Sequence, residues 1–148
     1  MTSFTLISIF TAIADQFIKH LVRMSVTKWN TLDTFLPFLK ITYIKNDGAA
    51  FGSMAGMRIY LIVFSALVIA SVIYYIFKKS VRNKCFLIPT ALALGGAMSN
   101  LYDRIVYGFV TDYIKLTFFP PVCNLADYCI CFGTAFLLIV YFKKEKIT

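Results

Sequence analysis

Four long apolar runs alternate with shorter polar segments along the chain. The runs cover residues 4–22, 59–77, 85–104 and 122–142. A helix needs about 20 mostly apolar residues to cross a bilayer, and each run comes close to that length. The pattern therefore predicts an all-α membrane protein, with four transmembrane helices in a single integral membrane domain that spans residues 1–148.

The segment between the first two runs carries a different pattern. Residues 38–44 are rich in β-branched and aromatic side chains, and the turn-forming sequence Asn46-Asp47-Gly48 follows them. This pattern predicts one or two short strands that lie near the membrane surface. We expect them to form a small extracytoplasmic β segment within residues 23–57, between helices 1 and 2.

Composition and charge agree with a membrane location. Hydrophobic residues make up 59% of the chain and charged residues only 15%, whereas soluble domains carry about 25% charged residues. The net charge is +8, and many of the cations lie in two clusters at the ends of apolar runs: Lys78, Lys79, Arg82 and Lys84, and Lys143, Lys144 and Lys146. With four spans, both clusters fall on the same side of the membrane. Cytoplasmic loops carry an excess of Lys and Arg, so we expect this side to be the cytoplasm. This distribution disfavours nucleic-acid binding and places both termini in the cytoplasm.

Polar side chains inside or beside the apolar runs are candidates for function, because a charged group within a span is costly. They fall in four blocks: Asp15 with Lys19, Asn46 to Phe51, Gly95 to Arg104 followed by Gly108 to Tyr113, and Cys123 to Asp127. In three blocks polar residues stand three or four positions apart, so helical spacing puts them on one face. Taken singly, three of the four blocks have ordinary alternatives: an intrahelical ion pair for Asp15 with Lys19, a tight turn for the Asn46 block, and a helix N-cap for Asn124 with Asp127.

Two aspartates offer the clearest catalytic chemistry in the chain. Asp112 follows the third predicted span and Asp127 lies near the outer start of the fourth, so a short outer connection brings both to the same interface. The single histidine, His20, ends the first span and leaves no Ser–His or Cys–His pair, and the four cysteines lack zinc-site spacing. Two adjacent carboxyl groups share a proton, so one can activate water while the other protonates a carbonyl oxygen.

Taken together, these blocks resemble the bacterial lipoprotein signal peptidases, the signal peptidase II family, over essentially the whole chain. The resemblance implies an aspartic endopeptidase that removes signal peptides from diacylglyceryl-modified prolipoproteins by cutting just before the lipidated cysteine. It implies no metal and no organic cofactor. It also implies a monomer among membrane phospholipids in the bacterial cytoplasmic (inner) membrane, with its active site at the outer face.

The resemblance also implies roles for individual residues. Asp112 and Asp127 correspond to the catalytic pair, and Asp15 with Lys19 would brace the structure near it. The polar residues expected to hold substrate or inhibitor, or to support the site, are Asn46, Gly48, Asn100, Arg104 and Asn124.

Some points stay open at this level. Tyr113 and Cys123 stand where the family usually has phenylalanine and another aromatic residue, which leaves the local packing undecided. Arg104 is suited to gripping a peptide carbonyl, but it could instead pair with the adjacent Asp103 or with a lipid phosphate. The alternative functions are a small transporter, which would need ionisable groups through the full membrane depth, and a structural scaffold.

Overall fold

A computed structural model of the chain describes residues 1–27, 30–48, 56–79 and 81–145. Within these ranges the chain forms four helices and one small sheet. Residues 49–51 of the Asn46 block and the C-terminal Lys146 lie outside the described residues.

Four helices of the described chain are long and apolar enough to cross a membrane. They are α1 (Thr2–Ser25), α2 (Arg58–Lys78), α3 (Lys84–Val106) and α4 (Leu125–Glu145). Large apolar side chains point outward along them, for example Phe10 on α1 at 74% exposure and Phe132 on α4 at 69%. Contiguous apolar surface of this kind suits lipid acyl chains and not water. The prediction of a multi-pass membrane protein is confirmed.

The central helix is α3, which packs closely against α1 and α4. A Cβ added at Gly95 would lie 2.5 Å from the backbone oxygen of Ser8, and one added at Gly96 would lie 2.5 Å from the backbone oxygen of Ala126. Small residues let helix backbones approach this closely. The approach brings the polar C-terminal half of α3 against both α1 and the start of α4.

A four-stranded antiparallel sheet lies at this end of the bundle. Its strands, in spatial order, are β1 (Thr31–Asp33), β2 (Leu39–Asn46), β3 (Val110–Leu116) and β4 (Val122–Cys123). The first two strands form the β segment predicted between helices 1 and 2. The other two were not predicted, and they come from the connection between α3 and α4. Because residues 122 and 123 pair in the sheet, the fourth helix begins at Leu125 and not at residue 122.

The pairing of β2 with β3 joins two segments that are remote in sequence. Asn46 lies opposite Val110, two positions before Asp112. The sheet is attached to the end of α1 by a buried apolar cluster that consists of Val22, Val26, Tyr43 and Tyr113. This attachment holds β3 beside the first turn of α4.

Candidate active site

Asp112 and Asp127 meet through one asparagine. Asp112 belongs to β3, whereas Asp127 belongs to the first turn of α4. The side-chain amide of Asn124 donates to Oδ1 of Asp112 at 2.7 Å, and the backbone N–H of Asn124 donates to Oδ2 of Asp127 at 3.1 Å. A single residue therefore touches both carboxyl groups of the predicted pair.

The start of α4 explains why Asp127 points into this site. Oδ1 of Asn124 accepts the backbone N–H of Asp127 at 2.8 Å, while the Asp127 carboxylate accepts the backbone N–H of Asn124. This reciprocal arrangement is a capping box, in which the N-cap and N3 side chains satisfy each other's amides. The N-cap alternative for this block is thus present in the structure, and the contacts that begin the helix also hold the carboxylate.

Each of the two carboxyl groups has a second amide donor. Nδ2 of Asn46 donates to Oδ2 of Asp112 at 2.9 Å, and Nδ2 of Asn100 donates to Oδ1 of Asp127 at 2.8 Å. These donors come from β2 and from α3, so the sheet and the bundle both contribute to the site. Asparagine side chains orient a carboxyl group without adding a charge to it.

Burial changes the acidity of Asp112, which is only 3% exposed. Desolvation, followed by the negative charge of Asp127, raises the pKa of Asp112 from 3.8 to about 7. The hydrogen bonds from Asn46 and Asn124 and the charge of Lys19 lower this pKa, but they do not cancel the increase. Near neutral pH the site therefore holds a carboxyl group that exchanges a proton readily, as general acid–base catalysis requires.

Arg104 lies beside the pair and contacts the end of β2. Its guanidinium donates to the backbone oxygen of Gly48 at 3.0 Å. The N–H of Gly48 in turn donates to Oδ1 of Asn46 at 3.0 Å, so a short turn holds this glycine in place. Asp103 forms its ion pairs with two residues of α1. The alternative Asp103–Arg104 pair is not among the ion pairs of the described residues.

A cleft of about 530 Å³ opens at the two acids, a volume within the usual range of ligand sites. Its polar lining consists of Asp112, Asp127, Asn46, Asn100 and Arg104. Its apolar lining comes from the β3–β4 connection and from α4, and includes Phe119, Val122, Cys123, Tyr128, Ile130 and Phe132. Burial raises the pKa of the Cys123 thiol to about 11, so this side chain stays neutral in the wall. The cleft can accept a peptide group beside the acids and an apolar group along α4.

A buried ion cluster supports the site from within the bundle. Nζ of Lys19 lies 2.8 Å from Oδ2 of Asp15 and 3.1 Å from Oδ2 of Asp103, and all three residues are 0% exposed. The same ammonium donates to Oδ1 of Asn100 at 2.8 Å. Because the oxygen of Asn100 is taken by Lys19, its NH2 group faces Asp127. These contacts fit the bracing role expected of Asp15 and Lys19.

Asp103 is the main site residue that sequence reasoning did not assign. Its Oδ2 accepts the backbone N–H of Thr111 at 3.0 Å, directly before Asp112, and Arg23 donates to the Thr111 hydroxyl at 3.0 Å. Asp103 thus fixes the backbone that carries Asp112. The signal was available, because a carboxylate inside a predicted span needs a cation at the same depth, and the predicted topology puts the cationic end of α1 there.

Tyr113 contributes a hydroxyl group to the contacts around the site. This hydroxyl donates to Oδ1 of Asp15 at 3.1 Å and accepts the N–H of Leu125 at 3.1 Å. The N–H of Ala126 donates to the same oxygen of Asp15 at 3.2 Å. Tyr113 therefore adds a polar link between β3, α1 and α4 that phenylalanine cannot make.

Lys19→Met should destabilise the protein by about 3–5 kcal/mol, because it leaves the buried Asp15 without its cation and leaves Asp103 with Arg23 alone. Lys40→Met is a matched control, since Lys40 pairs with Asp33 on the surface, at 35% and 81% side-chain exposure. An exposed pair contributes only about 0–1 kcal/mol. Thermal unfolding in detergent micelles measures both changes. Equal shifts in the two variants would contradict a supporting role for the buried lysine.

The sequence matches known proteins over most of its length. The family described as Signal peptidase (SPase) II matches residues 7–143. A lipoprotein signal peptidase of Halothermothrix orenii is 35% identical over 133 residues, which cover 90% of each chain. A lipoprotein signal peptidase of Syntrophus aciditrophicus is 37% identical over 140 residues, which cover 89% of this chain and 87% of that protein.

Solved structures share the fold. The structure of a bacterial membrane enzyme obtained by the in meso method at 2.3 Å resolution has a TM-score of 0.92 and 26% identity, and the match covers 98% of this chain and 90% of that one. A second bacterial membrane enzyme, at 1.9 Å resolution, has a TM-score of 0.88 and 25% identity, with 97% and 94% covered. These matches do not favour the transporter alternative. The chain belongs to the signal peptidase II family, the membrane proteases that process prolipoproteins.

Proposed function

We propose that this chain is an aspartic endopeptidase that removes signal peptides from diacylglyceryl-modified prolipoproteins by cutting just before the lipidated cysteine. Asp112 and Asp127 form its catalytic pair. The observation that carries the proposal is the contact of Asn124 with both carboxyl groups, at 2.7 and 3.1 Å, inside a cleft that also holds Arg104.

The two aspartates have different surroundings, which suggests different starting roles. Asp127 lies at the N-terminus of α4, where the helix dipole and a backbone N–H favour a carboxylate. Asp112 is buried in the sheet, and its raised pKa favours the protonated form. Asp127 then acts first as the general base, and Asp112 as the general acid.

The reaction returns both acids to their starting state. Asp127 takes a proton from water as the water oxygen attacks the scissile carbonyl carbon, and Asp112 gives its proton to the carbonyl oxygen. The tetrahedral diol then collapses, the C–N bond breaks, and the amine leaves with the proton held by Asp127. The remaining diol hydroxyl returns its proton to Asp112, which restores the pair.

The surrounding polar residues position the pair and the substrate. Asn46, Asn100 and Asn124 orient the carboxyl groups by the hydrogen bonds described above. Arg104 can offer its remaining N–H groups to a substrate carbonyl, while its bond to the Gly48 oxygen holds the guanidinium over the cleft. Asp15 and Lys19 brace this arrangement through Asn100 and the start of α4.

The placement of the site suits a lipidated substrate. The acyl chains of a diacylglyceryl-modified cysteine stay in the bilayer, so the scissile bond lies at the membrane surface. The acids and the sheet lie at one end of the bundle, and the dense basic clusters lie at the other. The proposed orientation therefore puts the site at the outer face of the bacterial inner membrane and both termini in the cytoplasm, in a monomer surrounded by phospholipids.

Asp112→Asn and Asp127→Asn should each reduce processing by at least about a hundredfold, because each removes a proton acceptor or donor from the pair. A gel-shift assay with a diacylglyceryl-modified precursor measures the loss. Asp33→Asn is the control, since it removes a carboxylate of the same sheet that is 81% exposed and lies in the edge strand. Processing at the wild-type rate by either of the first two variants would remove that residue from the catalytic pair.

The raised pKa of Asp112 predicts how both kcat/KM and the free energy of unfolding depend on pH. Above about pH 7 Asp112 loses its proton, so kcat/KM should fall about tenfold per pH unit. The folded state also holds a proton that the unfolded chain releases near 3.8, so the free energy of unfolding should decrease as the pH rises from about 4 to about 7. Asp112→Asn should remove the contribution of Asp112 to that decrease. A rate that stays flat to pH 9 would contradict the shared proton.

The orientation is testable with reporters. Green fluorescent protein fused after Thr148 should fluoresce, because the C-terminus is proposed to be cytoplasmic. Alkaline phosphatase inserted near Thr31 should be active, because it folds only outside the cytoplasm. Exchanging the two reporters between these positions should silence both. The opposite pattern would place the Asp pair at the cytoplasmic face and contradict the proposed access for lipidated substrates.

A further inference from the structure

Two cavities flank the beginning of α3, and one of them extends along α4 as far as Phe132, which also lines the cleft at the two acids. Lys84 and Asn100 are sixteen residues apart on this helix, which corresponds to about 24 Å along its axis. The first cavity, of about 480 Å³, lies between α1 and α3, with Phe4, Ile7 and Leu87 in its lining. Its polar lining includes Lys84 and Arg82 of the α2–α3 connection.

The second cavity lies on the other side of the same helix, between α3 and α4. It measures about 390 Å³, and apart from Lys84 its lining is apolar. Ile88, Leu92, Phe132 and Phe136 contribute most of this surface. Lys84 and Ile88 line both cavities, so the two clefts adjoin each other below the same basic residues.

Two of the cations at this end have no ion-pair partner among the described side chains. Arg82 and Lys84 are exposed, and the ion pairs of the described residues do not include either of them. Six of the seven acidic residues lie toward the opposite end of the bundle or in the sheet, namely Asp15, Asp33, Asp47, Asp103, Asp112 and Asp127. The seventh, Glu145, is the last residue of α4 and follows two lysines of the C-terminal basic cluster. The basic rim is therefore suited to an external anion.

We propose that this end of the bundle binds one membrane phospholipid with an anionic headgroup. The headgroup phosphate lies on Arg82 and Lys84, and one acyl chain enters each cavity on either side of Ile88. Two adjoining apolar clefts under one cationic rim match a ligand with two tails and one negative head. The binding site itself does not depend on the proposed function. Only its assignment to the cytoplasmic leaflet depends on the proposed orientation of the protein in the membrane.

Charge provides the selectivity of this site. A Lys or Arg near an anionic lipid surface adds about 1 kcal/mol, which is about a fivefold gain in affinity. Two such residues should favour phosphatidylglycerol over phosphatidylcholine with the same acyl chains by about 25-fold at low ionic strength. Salt should reduce this preference, because both cations are exposed to solvent.

Cys85 provides a probe of occupancy, because it is exposed and lines the α3–α4 cavity. We would use a variant in which Cys123, Cys129 and Cys131 are alanine, in uncharged detergent micelles, and measure the rate at which a maleimide alkylates Cys85. Phosphatidylglycerol should slow alkylation at about 25-fold lower concentration than phosphatidylcholine. Glycerol 3-phosphate, which has the anion but no tails, should not slow it.

Arg82→Gln with Lys84→Gln should abolish the preference for phosphatidylglycerol. Lys79→Gln with Lys143→Gln removes the same charge at the ends of α2 and α4, outside both cavities, and should retain the preference. Thermal unfolding checks that each variant is folded. Equal protection by the two lipids in the parent protein, a preference that survives in Arg82→Gln with Lys84→Gln, or protection by glycerol 3-phosphate alone would each overturn the proposal. The assay contains no precursor, so its outcome is independent of the proposed peptidase mechanism.

Discussion

The site depends on one buried ammonium group. Lys19 sits at 0% exposure between Asp15 and Asp103 and also holds the side-chain oxygen of Asn100. A lone charge at this depth would cost several kcal/mol, so the lysine is stable there only while its partners are in place. The same requirement fixes the geometry of α1 against α3. It also decides which way the amide of Asn100 points, and therefore which group meets Asp127.

A second set of contacts links the first turn of α4 to α1 and β3. The amides of its first turn are satisfied by Tyr113, Asp15 and the capping box between Asn124 and Asp127. A helix start normally needs only a local cap. Here the partners come from α1 and β3 as well, so the helix cannot begin elsewhere without losing them. The position of Asp127 is thus set by the folding of the bundle and not by a flexible loop.

The sequence predicted the helices and the polar site residues well, because each span and each motif can be recognised within one short stretch of the chain. The four helices match the apolar runs closely, and the predicted Asp pair shares Asn124. β3 was missed because Val110 pairs with Asn46, which is far away in sequence, and local reasoning treated residues 108–113 as a motif and not as a strand. Asp103 was missed because its neighbour Arg104 offered a local partner. Its actual cations, Lys19 and Arg23, lie on α1, and the predicted topology already placed them at the same depth as Asp103.

The polarity of the cleft changes along its length. At the acids the cleft is lined by amides, carboxyl groups and a guanidinium, and along α4 it becomes apolar through Ile130 and Phe132. The polar end suits a peptide group and water, whereas the apolar part suits an acyl chain or the apolar stretch of a signal peptide. A soluble peptide would gain nothing from that apolar wall. Burial raises the pKa of Asp112, and the cleft becomes apolar within a short distance along α4, so the acids lie where the polar and apolar surfaces of the cleft meet.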